Sequence, residues 1–357
     1  MAARMSGGVE HGAAGVGVEK SPPMVPAGLL GQFPCRNSGA GEDGPMASDD
    51  PIPIVFACNG RYVEQTAVAL HSVLAHRSRG ERTRLHVLGL ELSLRQLQRL
   101  RSVGERHANC KLCVENADRA ATAGSYSACY SAAANLRLSI PDLFPQSRRA
   151  LWLDSDILVV DSLEPLLAWD LGNCYLAAVR EVDATGQLAL GQRLNLPEPA
   201  NYFNSGVLLL NLEAMRRDGI HRRALQLLRS PDAGKRLRFP DQDALNLVAH
   251  GRVQFLPLRW NLMANTLQDN SSTVPALIHF AGGKKPWDML IASGKRRDLC
   301  QRYLRFEKSL CPDRRRRLFL FLRRFFLRAH RHCFGLRDLV RLVRYASLRR
   351  LRRRRSS

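Results

Sequence analysis

Two carboxylates stand one residue apart in Leu151-Trp152-Leu153-Asp154-Ser155-Asp156, between the apolar runs Ala150–Leu153 and Ile157–Val160. The period-two alternation of an extended chain puts Asp154 and Asp156 on the same side of the backbone. Carboxylates held a few ångströms apart repel, and a divalent cation is the simplest relief. The spacing marks a metal site at the end of a buried strand; the plainer reading is a capped turn. Further on, a short apolar run ends in His279-Phe280-Ala281-Gly282-Gly283-Lys284-Lys285. Neutral imidazole from His279 would complete a mixed oxygen and nitrogen set, which suits Mn²⁺ better than Ca²⁺. Gly282 and Gly283 let backbone amides approach a phosphate, and Lys285 supplies the opposite charge. Arg137, alone in an Ala/Leu-rich stretch, either faces an anion or is a surface charge.

These residues need elements to position them. Ile52–Cys58 reads as a buried first strand, Asn59-Gly60 as a turn, and Tyr62 opens a helix with Val63, Ala67, Leu70, Val73 and Leu74 at helical spacing. Leu85–Leu90 is a second strand, Ser93 caps a helix through Leu94, Leu97 and Leu100, and Lys111–Val114 is a third strand. A helix over Tyr130–Leu143 precedes the acid-bearing strand, and Glu164-Pro165 starts another. Tyr175–Val179, Val207–Asn211, Val253–Leu258 and Ala276–Phe280 are further strands; Glu213–Leu228 and the stretch from Asp241 through Val248 are helices. Gly186–Asn201, punctuated by Gly, Pro and Asn, reads as a loop over the site. Alternating strands and helices imply an α/β fold, a mostly parallel sheet flanked by helices on both faces. Such sheets bind ligands beyond the carboxyl ends of their strands, where Asn59, Gly60 and the Asp154/Asp156 pair all fall.

The 357 residues carry a net charge of +22, and Pro312–Ser357, with seventeen Arg against two Asp, holds +15 of it. The chain divides into a disordered leader (1–50), an α/β domain (51–311) and a basic tail (312–357). Phe319, Phe321, Phe325, Phe326 and Phe334 alternate with arginines at roughly helical spacing, the pattern of a helix lying in an anionic membrane interface. Nucleic acid is the competing partner for such a tail, and the phenylalanines favour lipid. Nine cysteines lie scattered without a disulfide framework, no signal peptide is evident, and no apolar run approaches the roughly 20 residues of a membrane span. A cytoplasmic protein, peripheral on the inner face of the membrane, is the expectation. Cys110-Lys111-Leu112-Cys113 lacks a second ligand pair and reads as buried thiols in a strand.

Four motifs, spread in order over Ile52 to Trp287, resemble glycosyltransferase family 8: Leu-Trp-Leu-Asp154-Ser-Asp156, Tyr202-Phe-Asn204-Ser205-Gly206 leading into Val-Leu-Leu-Leu-Asn211, Asp241-Gln242-Asp243, and His279-Phe-Ala-Gly282-Gly-Lys-Lys285-Pro-Trp287. The resemblance implies the GT-A fold, UDP-galactose or UDP-glucose as donor, retention of anomeric configuration, and Mn²⁺, with Mg²⁺ as the alternative. The likeness is to bacterial lipopolysaccharide and lipooligosaccharide galactosyl- or glucosyltransferases, whose acceptors are lipid-linked oligosaccharides. Carried over, it makes Asp154, Asp156 and His279 the metal ligands, with Arg137 at the donor sugar and Asp154 also on its hydroxyls. Asn204, Ser205, Asp241 and Gln242 would hydrogen-bond the transferred sugar, and Gly282 and Lys285 would hold the diphosphate. Gln242 would lie near the anomeric carbon; an amide is a poor nucleophile, so same-face attack by the acceptor is favoured over a covalent route through Asp243. Asn59 replaces an acid that the family usually places in its nucleotide-reading turn, and Arg61 a small polar residue. Asn59 can still meet a uracil edge, and Tyr62 either stacks on the base or staples its helix. The rival readings are a non-catalytic sugar-nucleotide-binding relative and a nucleic-acid-binding protein.

Overall fold

The computed structural model describes residues 51–78, 80–117, 132–181, 186–265, 272–283, 285–287 and 294–310. The expectations for the leader, the basic tail and the start of the Tyr130 helix lie outside these.

The first half alternates regularly: β1 (Ile54–Asn59), α1 (Val63–Ala75), β2 (Thr83–Leu90), α2 (Leu94–Gly104) and β3 (Cys110–Asn116). Neighbouring strands pair parallel. β1 is apolar from Ile54 to Cys58 because it is covered on both faces. Ile54, Phe56 and Cys58 join a core with Ala67, Leu70 and Leu74 of α1; Val55 and Ala57 join a second core with Leu136, Leu138 and Ile140. α2 starts as its sequence says: Ser93 and Gln96 cap each other reciprocally.

Then come α3 (Ala132–Asn135), a 3₁₀ turn (Leu136–Ser139), α4 (Ile140–Leu143), β4 (Arg149–Leu153), β5 (Ile157–Val159), α5 (Glu164–Leu167), β6 (Leu176–Ala178) and α6 (Gly186–Arg193). β7 (Val207–Asn211), α7 (Leu212–Arg217), α8 (Ile220–Arg229), α9 (Ala233–Arg236), α10 (Pro240–Ala249), β8 (Val253–Phe255), β9 (Leu262–Met263), β10 (Leu277–His279) and α11 (Gly294–Leu310) complete the described chain. Among the described residues the main sheet has the order β3-β2-β1-β4-β7-β6-β8, with only β7 antiparallel to its neighbours. A small sheet, β5-β10-β9, packs beside it.

Several expectations need correction. The helix expected up to Leu143 is three short turns, because Pro141 has no N–H to return to the Arg137 carbonyl and the hydrogen bonding restarts there. Gly186–Asn201 is not a plain loop but α6 and a 3₁₀ turn (Pro199–Asn201). Gly191, read as a breaker, is a close-approach site: an added Cβ would lie 2.2 Å from the Pro199 carbonyl oxygen. The helix from Glu213 breaks at Gly219, whose φ is +65°. The strand from Val253 ends at Phe255, ahead of Pro257. Cys110 and Cys113 are only partly buried, since β3 is the edge strand.

The segment carrying Arg137 is pinned from behind. Arg216 donates to the carbonyls of Pro141 (3.1 Å), Phe144 (3.2 Å) and Ser147 (2.9 Å). Buried His221 bridges the Met215 carbonyl and Asp142 at 3.1 and 3.0 Å. Burial opposes ionisation of Asp142, but the hydrogen bond and charge of His221, with Arg222, outweigh it and hold the carboxyl below its ordinary value. A depressed folded value contributes stability above the unfolded pKa and loses it as pH falls through the folded one. Asp142→Asn is therefore expected to cost about 1–3 kcal/mol at pH 7, with its gap to wild type closing below about pH 4. Thermal melts across pH check this; a gap that does not change with pH contradicts it.

Candidate active site

Asp154-Ser155-Asp156 is a tight turn between β4 and β5, closed by Ile157 N donating to Asp154 O at 3.3 Å. The carboxylates converge because the chain turns, not because an extended strand alternates. Ser155 is the anchor: its Oγ donates to Ala57 O (2.7 Å) and accepts from Thr66 Oγ1 (2.9 Å). Antiparallel pairing sets His279 opposite Ile157, and Phe280 N donates to Asp156 O at 3.0 Å. His279 Nε2 thereby lies 3.3 Å from Asp156 Oδ1 and 3.9 Å from Asp154 Oδ2. One ligand atom from each of the three residues falls within 4.8 Å of the others.

A chain of amides orients the imidazole. Asn261 donates through Nδ2 to Asn204 Oδ1 (2.9 Å), so its own oxygen accepts from His279 Nδ1–H at 2.9 Å. This tautomer leaves the Nε2 lone pair facing the carboxylates. The outer carboxylate oxygens are already taken: Asp154 Oδ1 accepts from Arg137 and Trp152 Nε1, both at 2.9 Å, and Asp156 Oδ2 accepts from Lys285. Two carboxylate oxygens and an acceptor nitrogen thus remain together, a donor set that fits a hard or borderline divalent ion. Gly206 makes room for the imidazole, because an added Cβ would lie 2.3 Å from His279 Cε1 and 2.8 Å from Nδ1. Gly206→Ala should tilt the ring and weaken divalent-ion binding about 10–100-fold, a loss measurable by titration calorimetry. Unchanged affinity would contradict the placement of His279.

Arg137 is the hub of the adjoining polar cluster. Its guanidinium reaches Asp154 Oδ1 at 2.9 Å, Asp241 Oδ2 at 3.1 Å, the Ala134 carbonyl at 2.9 Å, and both oxygens of Ser205. It also lies over the Trp152 ring, 4.9 Å from the centroid. Gln242 accepts from Ser205 N at 2.9 Å and donates to the Tyr202 hydroxyl at 3.0 Å. Glu181, at the mouth of β6, accepts from Asn204 Nδ2 (3.1 Å) and lies 3.5 Å from Gln242 Nε2.

The neighbouring acid behaves differently. Asp243 is fully buried and accepts from Tyr202 Oη (2.6 Å), Arg193 (2.6 Å), Arg238 N (2.7 Å) and Phe239 N (3.0 Å). Burial and Asp243 together push the Tyr202 phenol up, so its hydroxyl stays a donor. These four contacts tie the Asp243 carboxylate to Tyr202, to Arg193 and to the start of α10. Lys285, expected at a diphosphate, here donates to Asp156 and to Phe280 O (2.7 Å). Gly282 has φ +78° and is exposed beside it. Asn59 sits at the end of β1, accepting from Arg61 N at 3.0 Å, and Tyr62 meets Trp287 edge-on with centroids 6.0 Å apart.

Burial and neighbouring charges shift the two carboxyls in opposite directions. Burial raises Asp154 above its ordinary value, with Arg137 opposing that shift and Asp156 adding to it. Burial also opposes ionisation of Asp156, but the Lys285 ammonium outweighs it and holds this carboxyl well below the usual range. Asn261, Glu181, Trp152 and Gly206 are site residues that pattern reading missed. Asn261, wholly buried in an apolar stretch between Trp260 and Leu262, carried the one visible signal.

Residues 53–290 match Glycosyl transferase family 8. General stress protein A of Bacillus subtilis (strain 168) is 29% identical over 172 residues, covering 44% of this chain and 59% of that protein. Lipopolysaccharide 1,2-glucosyltransferase of Escherichia coli (strain K12) is 32% identical over 151 residues, 39% of this chain and 44% of the relative. The chain thus spans about half the length of the curated relatives it matches. Among solved structures, the galactosyltransferase LgtC in complex with donor and acceptor sugar analogues superposes with a TM-score of 0.60 at 27% identity, over 73% of this chain and 96% of that one. The bifunctional glycosyltransferase WbbM in its apo form gives a TM-score of 0.61 at 24% identity, over 72% and 50%, a likeness of fold alone. The sheet order and flanking helices are those of a GT-A fold like that of LgtC. The matched stretch runs from β1 through β10 and contains every residue of the cluster just described, and the chain belongs to glycosyl transferase family 8.

Proposed function

We propose that this chain transfers a hexose from UDP-galactose or UDP-glucose to a lipid-linked oligosaccharide, with retention of configuration and dependence on Mn²⁺. The observation that carries this reading is the convergence of Asp154, Asp156 and His279 beside the Arg137 cluster at the carboxyl ends of β1 and β4. Bound between the three ligands, the metal would act as a Lewis acid for the departing UDP. Arg137 pairs with both Asp154 and Asp241 and so fixes both carboxylates as acceptors for sugar hydroxyls. Asn204 and Ser205 offer an amide and a hydroxyl to the same sugar, and Gln242, oriented by Ser205, Tyr202 and Glu181, faces its reacting carbon. Gly282 and Lys285 serve the diphosphate, and Asn59 and Tyr62 the uracil. The acceptor hydroxyl attacks on the face that UDP leaves, with the departing phosphate taking its proton.

Support for the substrate class comes from relatives described as lipopolysaccharide glucosyl- and galactosyltransferases. Among the described residues no helix is long and apolar enough to cross a membrane. The attachment to an anionic inner membrane surface that we infer for residues 312–357 is tested by liposome co-sedimentation with and without them; equal binding refutes it. The function itself is tested with a panel of UDP-sugars, scoring UDP release and the anomeric configuration of the first product by NMR. Release from one of the two named donors with an α product is expected. Binding without turnover would mark a non-catalytic relative, and a β product would overturn retention.

A further inference from the structure

Among the described residues, two side-chain cations, Arg137 and Lys285, pair with the candidate metal-ligand carboxylates, and they are held very differently. Arg137 is tied to acceptors on several elements at once: Ala134, Asp154, Ser205 and Asp241. Lys285 has two hydrogen-bond acceptors, Asp156 Oδ2 and the Phe280 carbonyl at 2.7 Å. The turn leading to it is open: Gly282 has φ +78°, and an added Cβ at Gly283 would meet nothing within 4 Å. Lys285 is only 9% exposed, and its ammonium lies against the carboxylate whose other oxygen faces His279. On Asp156, it cancels one of the two negative charges that the ligand trio presents. A dication approaching His279 then meets a weaker attraction and a like charge sharing one of its ligands.

We propose that Lys285 is an exchangeable counter-ion: it shields Asp156 until a nucleoside diphosphate draws its ammonium away, which makes divalent-ion and diphosphate binding cooperative. The proposal rests on reading Asp154, Asp156 and His279 as metal ligands. A diphosphate offers Lys285 more anionic oxygens than Asp156 can and frees Asp156 in the same movement. Coupling of this kind is reciprocal, so the ion must improve diphosphate binding by the factor by which the diphosphate improves ion binding.

The test follows free Mn²⁺ by electron paramagnetic resonance in titrations of the full chain, with and without UDP. Lys285→Met should bind Mn²⁺ without UDP about tenfold more tightly than wild type, and the enhancement by UDP should shrink by a similar factor. Lys285→Gln, which keeps a donor for Asp156 but no charge, should follow Lys285→Met, whereas Lys285→Arg should stay with wild type. Charge-free variants that bind Mn²⁺ alone no more tightly than wild type overturn the counter-ion role while leaving the metal site standing. No saturable Mn²⁺ binding by any of these proteins, with or without UDP, removes the metal site and the proposal together.

Discussion

Arg137→Met is expected to lower kcat/KM by about three orders of magnitude, close to 4 kcal/mol of transition-state stabilisation, and to lower the melting temperature as well. The guanidinium is buried between Asp154 at 2.9 Å and Asp241 at 3.1 Å. Methionine keeps some of the packing against Trp152 but leaves both carboxylates without their counter-charge. Breaking a buried pair by removing one partner costs about 3–5 kcal/mol, because the remaining charge is stranded. Asp154 would respond by protonating, since burial and Asp156 already push it in that direction. It would then be a poorer ligand and a poorer acceptor. Arg137→Lys separates the two consequences: one ammonium cannot reproduce a fork that spans Asp154, Asp241 and Ser205. The lysine variant should therefore retain most of the stability while losing most of the turnover. Wild-type kcat/KM in either variant would contradict the role of Arg137 as the hub of the site.

Asp156→Asn is the second large effect. Asparagine preserves shape and the backbone link to Phe280, yet removes the charge that faces His279 at 3.3 Å. Saturable Mn²⁺ binding should disappear and UDP release should fall about 10³-fold, in line with several kilocalories of Lewis-acid stabilisation. The fold should suffer far less. Lys285 keeps the Phe280 carbonyl and an amide oxygen in place of the carboxylate, so a loss of about 1–3 kcal/mol is expected. Retained Mn²⁺ binding in this variant would move the metal elsewhere.

Much of this was legible in the chain because it rests on local pattern. The apolar run of β1, the Ser93 cap and the Asp154/Asp156 pair are each readable within a window of a few residues. His279 was legible because a lone imidazole closes an apolar strand before two glycines. What escaped depends on register between distant elements. Asn261 matters only because β9 and β10 lie side by side, which sets its oxygen against His279 Nδ1. Gly206 matters only because its backbone lies against that ring. The different surroundings of Asp241 and Asp243 have a helical reason: two positions along α10 turn a side chain roughly 200° away, so Asp241 meets Arg137 and Asp243 meets Tyr202 and Arg193. Gly191 was taken for a loop residue, whereas its missing side chain lets α6 close on Pro199.

The most direct test is UDP release from UDP-galactose and UDP-glucose by the wild-type chain, first after treatment with EDTA and then after Mn²⁺ is restored. Turnover of one of the two donors should stop with the chelator and return with the metal. Turnover that persists unchanged in EDTA would contradict the assignment of Asp154, Asp156 and His279 as the metal centre of a glycosyl transfer.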